Sequence, residues 1–545
     1  MNLRTITTAL FIGGLSLAAL AQGGYQDGVD YYNADRFDKA KTILEKTLND
    51  PGTDKAVSYF YLGELALRDG DVATAKRNFE AGLAANPNYG YNHVGLGEIA
   101  LKAGNKGEAE SQFKAALAIN KKDAAMVAAV ARAYANVDPV AYAKEIEKYI
   151  QQGMKLSKNK EPQIYVLKGD LVKGEDLGAA AGFYEQAIIY QEEKGSVNPQ
   201  AYVKYSNLYN KVNPDFAITK LVELNEKLPN SALAQSELAE KYYDANQFTR
   251  AAEQYGKYIQ NPNHFQGDEQ RYSGLLFFGK RYQESLDVAN QVLAKDPDNV
   301  YMQRMVMLNK AALQDYAGAE EAAKLLFAHK DATFTSTDYT THGDVLAELG
   351  RPQEAIEAYM AAYNLNPEKN KQILANISSM YTDLEDYAKA VETMQQYVDA
   401  AGEDASLNDL FILSNRYKNL GLSLPEASPE RVAAANNGIK YVDMAVESAA
   451  NKGPLYRNRA TLLMVRDGSE ITPELVETYQ NMIGAFNEDP ANVEKYADAY
   501  RSAYNNIANY YLKQGDKENA RKYFELLLSV DPTNEALRKY LEDFK

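Results

Sequence analysis

The chain has 545 residues, 46% hydrophobic and 25% charged, with a formal net charge of −16. It holds ample apolar material for a folded core, which excludes a disordered chain, and its acidity repels phosphate backbones, which weighs against nucleic-acid binding. With no cysteine and four histidines, disulfides, thiolate nucleophiles, zinc–thiolate sites and a lipid-modified cysteine are excluded, and metal ligands are few.

Residues 1–21 read as a secretory leader. Arg4 supplies the positive end, an apolar run from Ala9 to Ala18 follows, and Ala19-Leu20-Ala21 offers small residues at the cleavage site. The run is short for a membrane span, and no later segment is apolar enough to insert directly. The expected location is the periplasm or the extracellular space; a membrane anchor or a buried first helix is the alternative.

Beyond the leader a period of 34 residues runs through the chain. Gly63, Gly97 and Ala131 fall at that spacing, as do Ala75, Ala109 and Ala143, Phe79 and Phe113, Tyr59 and His93, and Leu62 and Leu96. Leu62 and Ala66 lie four apart, as do Ala75, Phe79 and Leu83, so each set occupies one face of an amphipathic helix. Asp69-Gly70-Asp71 supplies a turn inside each helix pair, and Asn86-Pro87-Asn88 a turn between pairs.

The pattern Tyr59-x-x-Leu62-Gly63-x-x-Ala66, Ala75-x-x-x-Phe79-x-x-Gly82, Pro87 resembles the tetratricopeptide repeat (TPR) consensus. The same frame returns at Gly343, Leu346, Ala355, Tyr359, Ala362 and Pro367, and again at Tyr504, Ala508, Ala520, Phe524 and Pro532. Weaker units begin at Gly28 and Tyr31 and continue through Tyr209–Pro229, Ala239–Tyr258, Ser285–Pro297, Ala319–Ala323 and Ser378–Tyr397, giving about 13 units. The resemblance implies an all-α fold, a right-handed superhelical solenoid of helix-turn-helix repeats.

The organisation read from the sequence is a leader over 1–21, a long array over 22–417, irregular repeats with lengthened loops over 418–475, further units over 476–532, and a capping helix over 533–545. The lengthened loops are Gly421–Pro429 and Asp467–Pro473. Insertions in solenoids map to loops on one face, sometimes the binding face. In the last helix Leu537, Leu541 and Phe544 share one side.

No phosphate-binding loop, nucleophile elbow or zinc-peptidase motif is present, so no catalytic residue, metal site or cofactor is assigned and no enzyme is expected. The histidines, His93, His264, His329 and His342, fall in different units; His93 and His342 occupy packing phases.

In the family the first helix of each unit lines a concave groove. That resemblance places Tyr91, Glu98, Arg132, Glu240, Tyr243, Asp344, Asn505 and Asn509 on the groove as partner-binding candidates. Asn505, Asn506 and Asn509 form part of the family's carboxylate-gripping set, but the matching Lys and Arg set is missing. The expected function is an exported scaffold or adaptor that binds protein partners and organises a complex in the cell envelope; the alternative is a periplasmic binding protein for peptide or glycan ligands.

Overall fold

The computed structural model describes residues 24–543 except 211, 266 and 427. The leader-like segment 1–21 and Phe544 lie outside the described residues. Within these bounds the chain is all α, with no strand, and folds as a right-handed solenoid of helix-turn-helix pairs. The chain divides into two compact units between Asp331 and Ala332.

Local chemistry fixes the helix ends. Asp54, Asp71, Asn105 and Asp123 each cap a helix, their side chains accepting a backbone N–H two or three residues on. In most pairs the turn between the two helices holds one left-handed residue. Gly70 and Gly104 supply it at φ +81° and +77°, whereas Lys280 and Gln314 hold the same place at φ 60° and 64° without glycine's freedom.

The crossings explain why the repeat needs a small residue sixteen positions before an aromatic one. A Cβ added at Gly63 would lie 2.3 Å from the Phe79 ring, and one at Gly95, in the next pair, 2.4 Å from it. Phe79 therefore fills the space between three helices and is fully buried. Gly97 with Phe113 and Gly343 with Tyr359 repeat the arrangement at the same spacing, and Gly169 with Tyr184 repeats it at fifteen.

One phase assignment fails. Ala143 is exposed and begins its helix, so it is not the counterpart of Ala75 and Ala109, which are fully buried. The longer connection at 138–142 delays the helix, and Ile146 and Ile150 fill the crossing instead, at 4% and 3% exposure. The same delay hides the following pair, Pro162–Val172 and Leu177–Glu193, from a strict 34-residue frame.

Among the described residues, the N-terminal unit contains nine helix pairs, from Tyr25–Asn33 and Phe37–Thr47 to Val300–Ala312 and Tyr316–Phe327. It curls until its first pair meets its sixth and seventh. Helix Tyr25–Asn33 packs on helices Pro199–Tyr209 and Ala232–Asp244. Tyr31, 2% exposed, sets its ring edge-on to Phe265 at 5.4 Å between centroids. Arg36 makes a two-pronged pair with Glu237 at 2.5 and 2.6 Å, and Lys39 reaches Asp268 at 2.7 Å. One apolar cluster runs across this seam, joining Val29, Tyr31 and Leu44 to Tyr202, Leu233 and Leu238.

Among the described residues, the C-terminal unit contains five helix pairs, two short α-helices, one short 3-10 helix and the last helix, Glu535–Asp543. The segment 418–475 lies inside it. Helix Leu407–Ser423 runs through the buried Gly421, so the Pro- and Ser-rich break is confined to the stretch between Leu424 and the capping Ser428. The pair flanking it is unusually long because its second helix spans Pro429–Ser448. Gly468 at φ +66° and the cap Thr472 form the second break.

Candidate functional site

The closing of the N-terminal unit turns its inner wall into a cavity of about 520 Å³. Its walls come from the first helices of successive pairs, and its volume follows from the repeat phases. Phe60 is followed 34 and 68 residues on by Val94 and Ala128, and Tyr91 by Ala125. Aromatic rings thus fill one side, while Ala125, Ala128 and Ala129 leave the other side empty.

The aromatic side is a set of mutually packed rings. Tyr32 stands edge-on to Tyr61 at 4.9 Å and to Phe37 at 5.5 Å. Phe60 contacts Tyr91 at 5.5 Å, and Tyr91 contacts Tyr89 at 5.1 Å. Such contacts hold the rings in fixed orientations and keep one apolar face available. Burial pushes the Tyr89 and Tyr91 hydroxyls well above the ordinary tyrosine value and Tyr61 to about 12, so all three stay neutral.

A charged row crosses this wall. Glu64, Glu98 and Arg132 occupy one phase of three consecutive pairs, 34 residues apart. Glu98 is 4% exposed; it accepts a hydrogen bond from Asn136 Nδ2 at 3.1 Å, with Lys102 Nζ 3.6 Å away. Arg132 Nη1 donates to Asp170 at 2.7 Å, and Asp170 also takes Lys204 Nζ at 3.1 Å and the Tyr184 hydroxyl at 2.9 Å. Lys204 reaches Asp35 at 3.3 Å, tying the sixth pair to the first turn of the unit.

Two groups in the row remain uncommitted. Arg132 Nη2 is buried with no hydrogen-bond partner. Glu64 receives only the Tyr32 hydroxyl, at 3.4 Å, and among the described residues it has no ion pair. Burial, and secondarily the charge of Glu98, push Glu64 up to about 8 against the pull of Tyr32, Lys102 and Arg132. Burial raises Glu98 as well, opposed by Asn136 and Lys102. Burial also acts to raise Asp170, but Arg132 and Lys204 outweigh it and hold that carboxyl below its ordinary value.

The cavity therefore gathers three of the eight sequence candidates, Tyr91, Glu98 and Arg132. The other five are held in local contacts elsewhere. Glu240 accepts two hydrogen bonds from Arg271, at 2.9 and 2.5 Å, and the Arg271 guanidinium lies 4.2 Å over the Tyr243 ring. Asp344 accepts the Tyr359 hydroxyl inside one repeat. Asn509 Nδ2 donates to the Asn505 carbonyl at 2.8 Å along its own helix. His93 contacts Gln112 at 2.7 Å, consistent with a packing role.

Sequence reasoning missed Glu64, although it precedes Glu98 by one period. It also missed Asn33, Gln200 and Lys204, which reach the cavity only through the closing of the unit. No periodic signal marks that closure.

The tetratricopeptide-repeat family profiles match residues 66–133, 340–405 and 502–534. A TPR repeat-containing protein of Methanocaldococcus jannaschii is 21% identical over 331 residues, covering 54% of this chain and 55% of that protein. The chain thus spans about half the length of the curated relative it matches. Among solved structures, the C-terminal part of a TPR repeat-containing protein from Cytophaga hutchinsonii aligns with 50% of this chain and 98% of its own, at 20% identity and a TM-score of 0.38. Yeast Tom70 aligns with 91% of this chain and 97% of its own, at 12% identity and a TM-score of 0.29. Profile matches fall in both units, and the same glycine–aromatic crossing recurs between helices across the array: the chain is a tetratricopeptide-repeat protein.

Proposed function

We propose that this chain is an exported, non-catalytic scaffold that holds protein partners in the cell envelope, and that the cavity of its N-terminal unit receives an extended segment of such a partner. The observation that carries the reading is the cavity itself. It has packed aromatic rings on one side, a row of charges across it, and amides at Asn33, Asn136, Gln163, Asn198 and Gln200 able to meet a peptide backbone. Its size falls within the range of about 300–1,000 Å³ usual for ligand sites. The leader-like residues 1–21 and the missing lipoprotein cysteine support a soluble periplasmic or secreted protein.

Ala125→Phe, at a half-buried position one period after Tyr91, places a ring in the empty side of the cavity. Partner capture from envelope extracts should fall by roughly tenfold or more, equivalent to about 1.4 kcal/mol, while the helical circular dichroism stays unchanged. Undiminished capture by the filled variant would remove the cavity from the function. N-terminal sequencing of the exported protein should begin at Gln22; an intact Met1 in the cytosol would end the export reading. The same aromatic wall suits sugar rings, and calorimetry with oligosaccharides separates that reading from the peptide one.

A further inference from the structure

We infer that the cavity selects a peptide through one lysine or arginine side chain, its cationic head held by Glu64 against the aromatic wall while Arg132 Nη2 donates to a carbonyl oxygen of the peptide. This assignment rests on the peptide-binding reading above and gives that site its ligand class.

The argument is one of commitments. Four cations line the cavity, and three of them have an anion already: Lys102 is beside Glu98, Arg132 on Asp170, and Lys204 between Asp170 and Asp35. The fourth, Arg68, stacks 3.8 Å over the Phe37 ring. Among the carboxylates, Asp35 has Lys204 and Glu98 has Lys102 and Asn136, which leaves Glu64 as the acid with no cation. A half-buried carboxylate one repeat from a second acid is costly when ionised and gains most from an incoming positive charge. Its tendency to keep a proton toward neutral pH agrees with this.

The aromatic wall adds to the same preference, because the face of a tyrosine or phenylalanine ring attracts a cation. Tyr32 and Tyr61 stand beside Glu64 on that wall, and Tyr32 already donates its hydroxyl to the carboxylate. An anionic ligand gains less: Lys102, Lys204 and Arg132 are already paired with Glu98, Asp35 and Asp170, and Arg68 is stacked on Phe37. Arg132 Nη2 is buried without a partner on a guanidinium that Asp170 already neutralises, so a neutral carbonyl suits it better than a second carboxylate.

The test uses the full-length chain, immobilised and panned against a displayed library of random nonapeptides. Peptides selected by the parent should share a lysine or arginine at one position. Synthetic peptides from that selection, with the basic residue replaced by norleucine or citrulline, should bind roughly tenfold or more weakly, as expected when a hydrogen bond to a charged group is lost. The lysine and arginine versions, measured side by side, identify the preferred head group. Glu64→Gln should remove the preference for the basic residue, so that the basic and the neutral peptides bind alike. Ala125→Phe should abolish binding of both. Peptides selected without a basic residue, or a basic preference that survives in Glu64→Gln, would overturn the cation assignment and leave the peptide reading standing. Failure to select any peptide would bring down both.

Discussion

The two units are built from the same repeat and differ in how far their contacts reach along the chain. In the C-terminal unit the side-chain bonds join neighbours, as Asn458 with Ser414 or Arg457 with Asp498. In the N-terminal unit Arg36 meets Glu237 across 201 residues, and Lys39 meets Asp268 across 229. A solenoid in which each repeat touches only its neighbours has frayed ends and stability that accumulates repeat by repeat. Closing the row joins its first repeat to a distant one, so the first helix is held from both sides. It also gives the inner wall a second side: Asn198, Gln200 and Lys204 face a cavity that adjacent repeats alone would leave as an open groove.

The contrast can be broken first at the two chain ends. Tyr31→Ala removes a buried ring from the seam and should cost about 3–5 kcal/mol. Hydrogen exchange should then quicken in 199–209 and 232–244 as well as in the first pair. The corresponding change in the last helix, Leu541→Ala, should cost about 1 kcal/mol or less, since an open terminus exchanges readily in the parent. Equal costs would deny the distinction.

The crossings sharpen the comparison at a smaller scale. Gly97→Ala and Gly343→Ala each add a methyl to the same repeat position, where the added Cβ would lie 2.4 Å from Phe113 and 2.8 Å from Tyr359. Both should cost about 1–3 kcal/mol in chemical denaturation, with Gly97→Ala the larger. The tighter approach leaves Phe113 less room to yield.

Glu64 makes a pH-dependent difference confined to the N-terminal unit. Its folded value of about 8 lies above the ordinary 4.5, so between those limits the folded state holds more protons than the unfolded one. Stability must therefore fall as pH rises from 4.5 through 8. Glu64→Gln should remove part of that slope. It should match the parent at pH 4 and exceed it at pH 9 by on the order of 1 kcal/mol, a full shift being discounted for screening in an open cavity. Parallel stability curves for parent and variant would contradict the burial of this carboxyl.

The smallest effect concerns a turn. Lys280 at φ 60° stands where Gly70 and Gly104 stand in earlier pairs. Lys280→Gly relieves a left-handed strain of about 1–2 kcal/mol and loses about 1 kcal/mol to the freedom of the unfolded glycine. A net gain of about 0.5 kcal/mol in thermal unfolding is expected.

These residues also show what was legible in the sequence. Contacts between adjacent repeats leave a periodic trace, so the Gly63–Phe79 crossing could be placed from spacing, and the groove positions Tyr91, Glu98 and Arg132 from spacing together with the resemblance to the tetratricopeptide repeat. The frame slips where a connection lengthens, as at 138–142, which is why Ala143 was misassigned and the pair beginning at Pro162 was passed over. Glu64 was within reach of the same arithmetic. The seam was not, because Arg36 with Glu237 and Tyr31 with Phe265 are single contacts with no periodic counterpart. Glu240, Tyr243 and Asp344 carry the right phase for a groove, yet each is engaged by a local partner that phase does not reveal.

The most direct test of the closed N-terminal unit uses the natural lack of cysteine. Cysteines introduced at the exposed positions Asp35 and Asp244 in the full-length chain accept spin labels with no background. Dipolar spectroscopy should give one narrow distribution of short distances that broadens in Tyr31→Ala. A broad or long-distance distribution in the unmutated background would show that the first repeat stands free of the seventh, and the account of the cavity would fall.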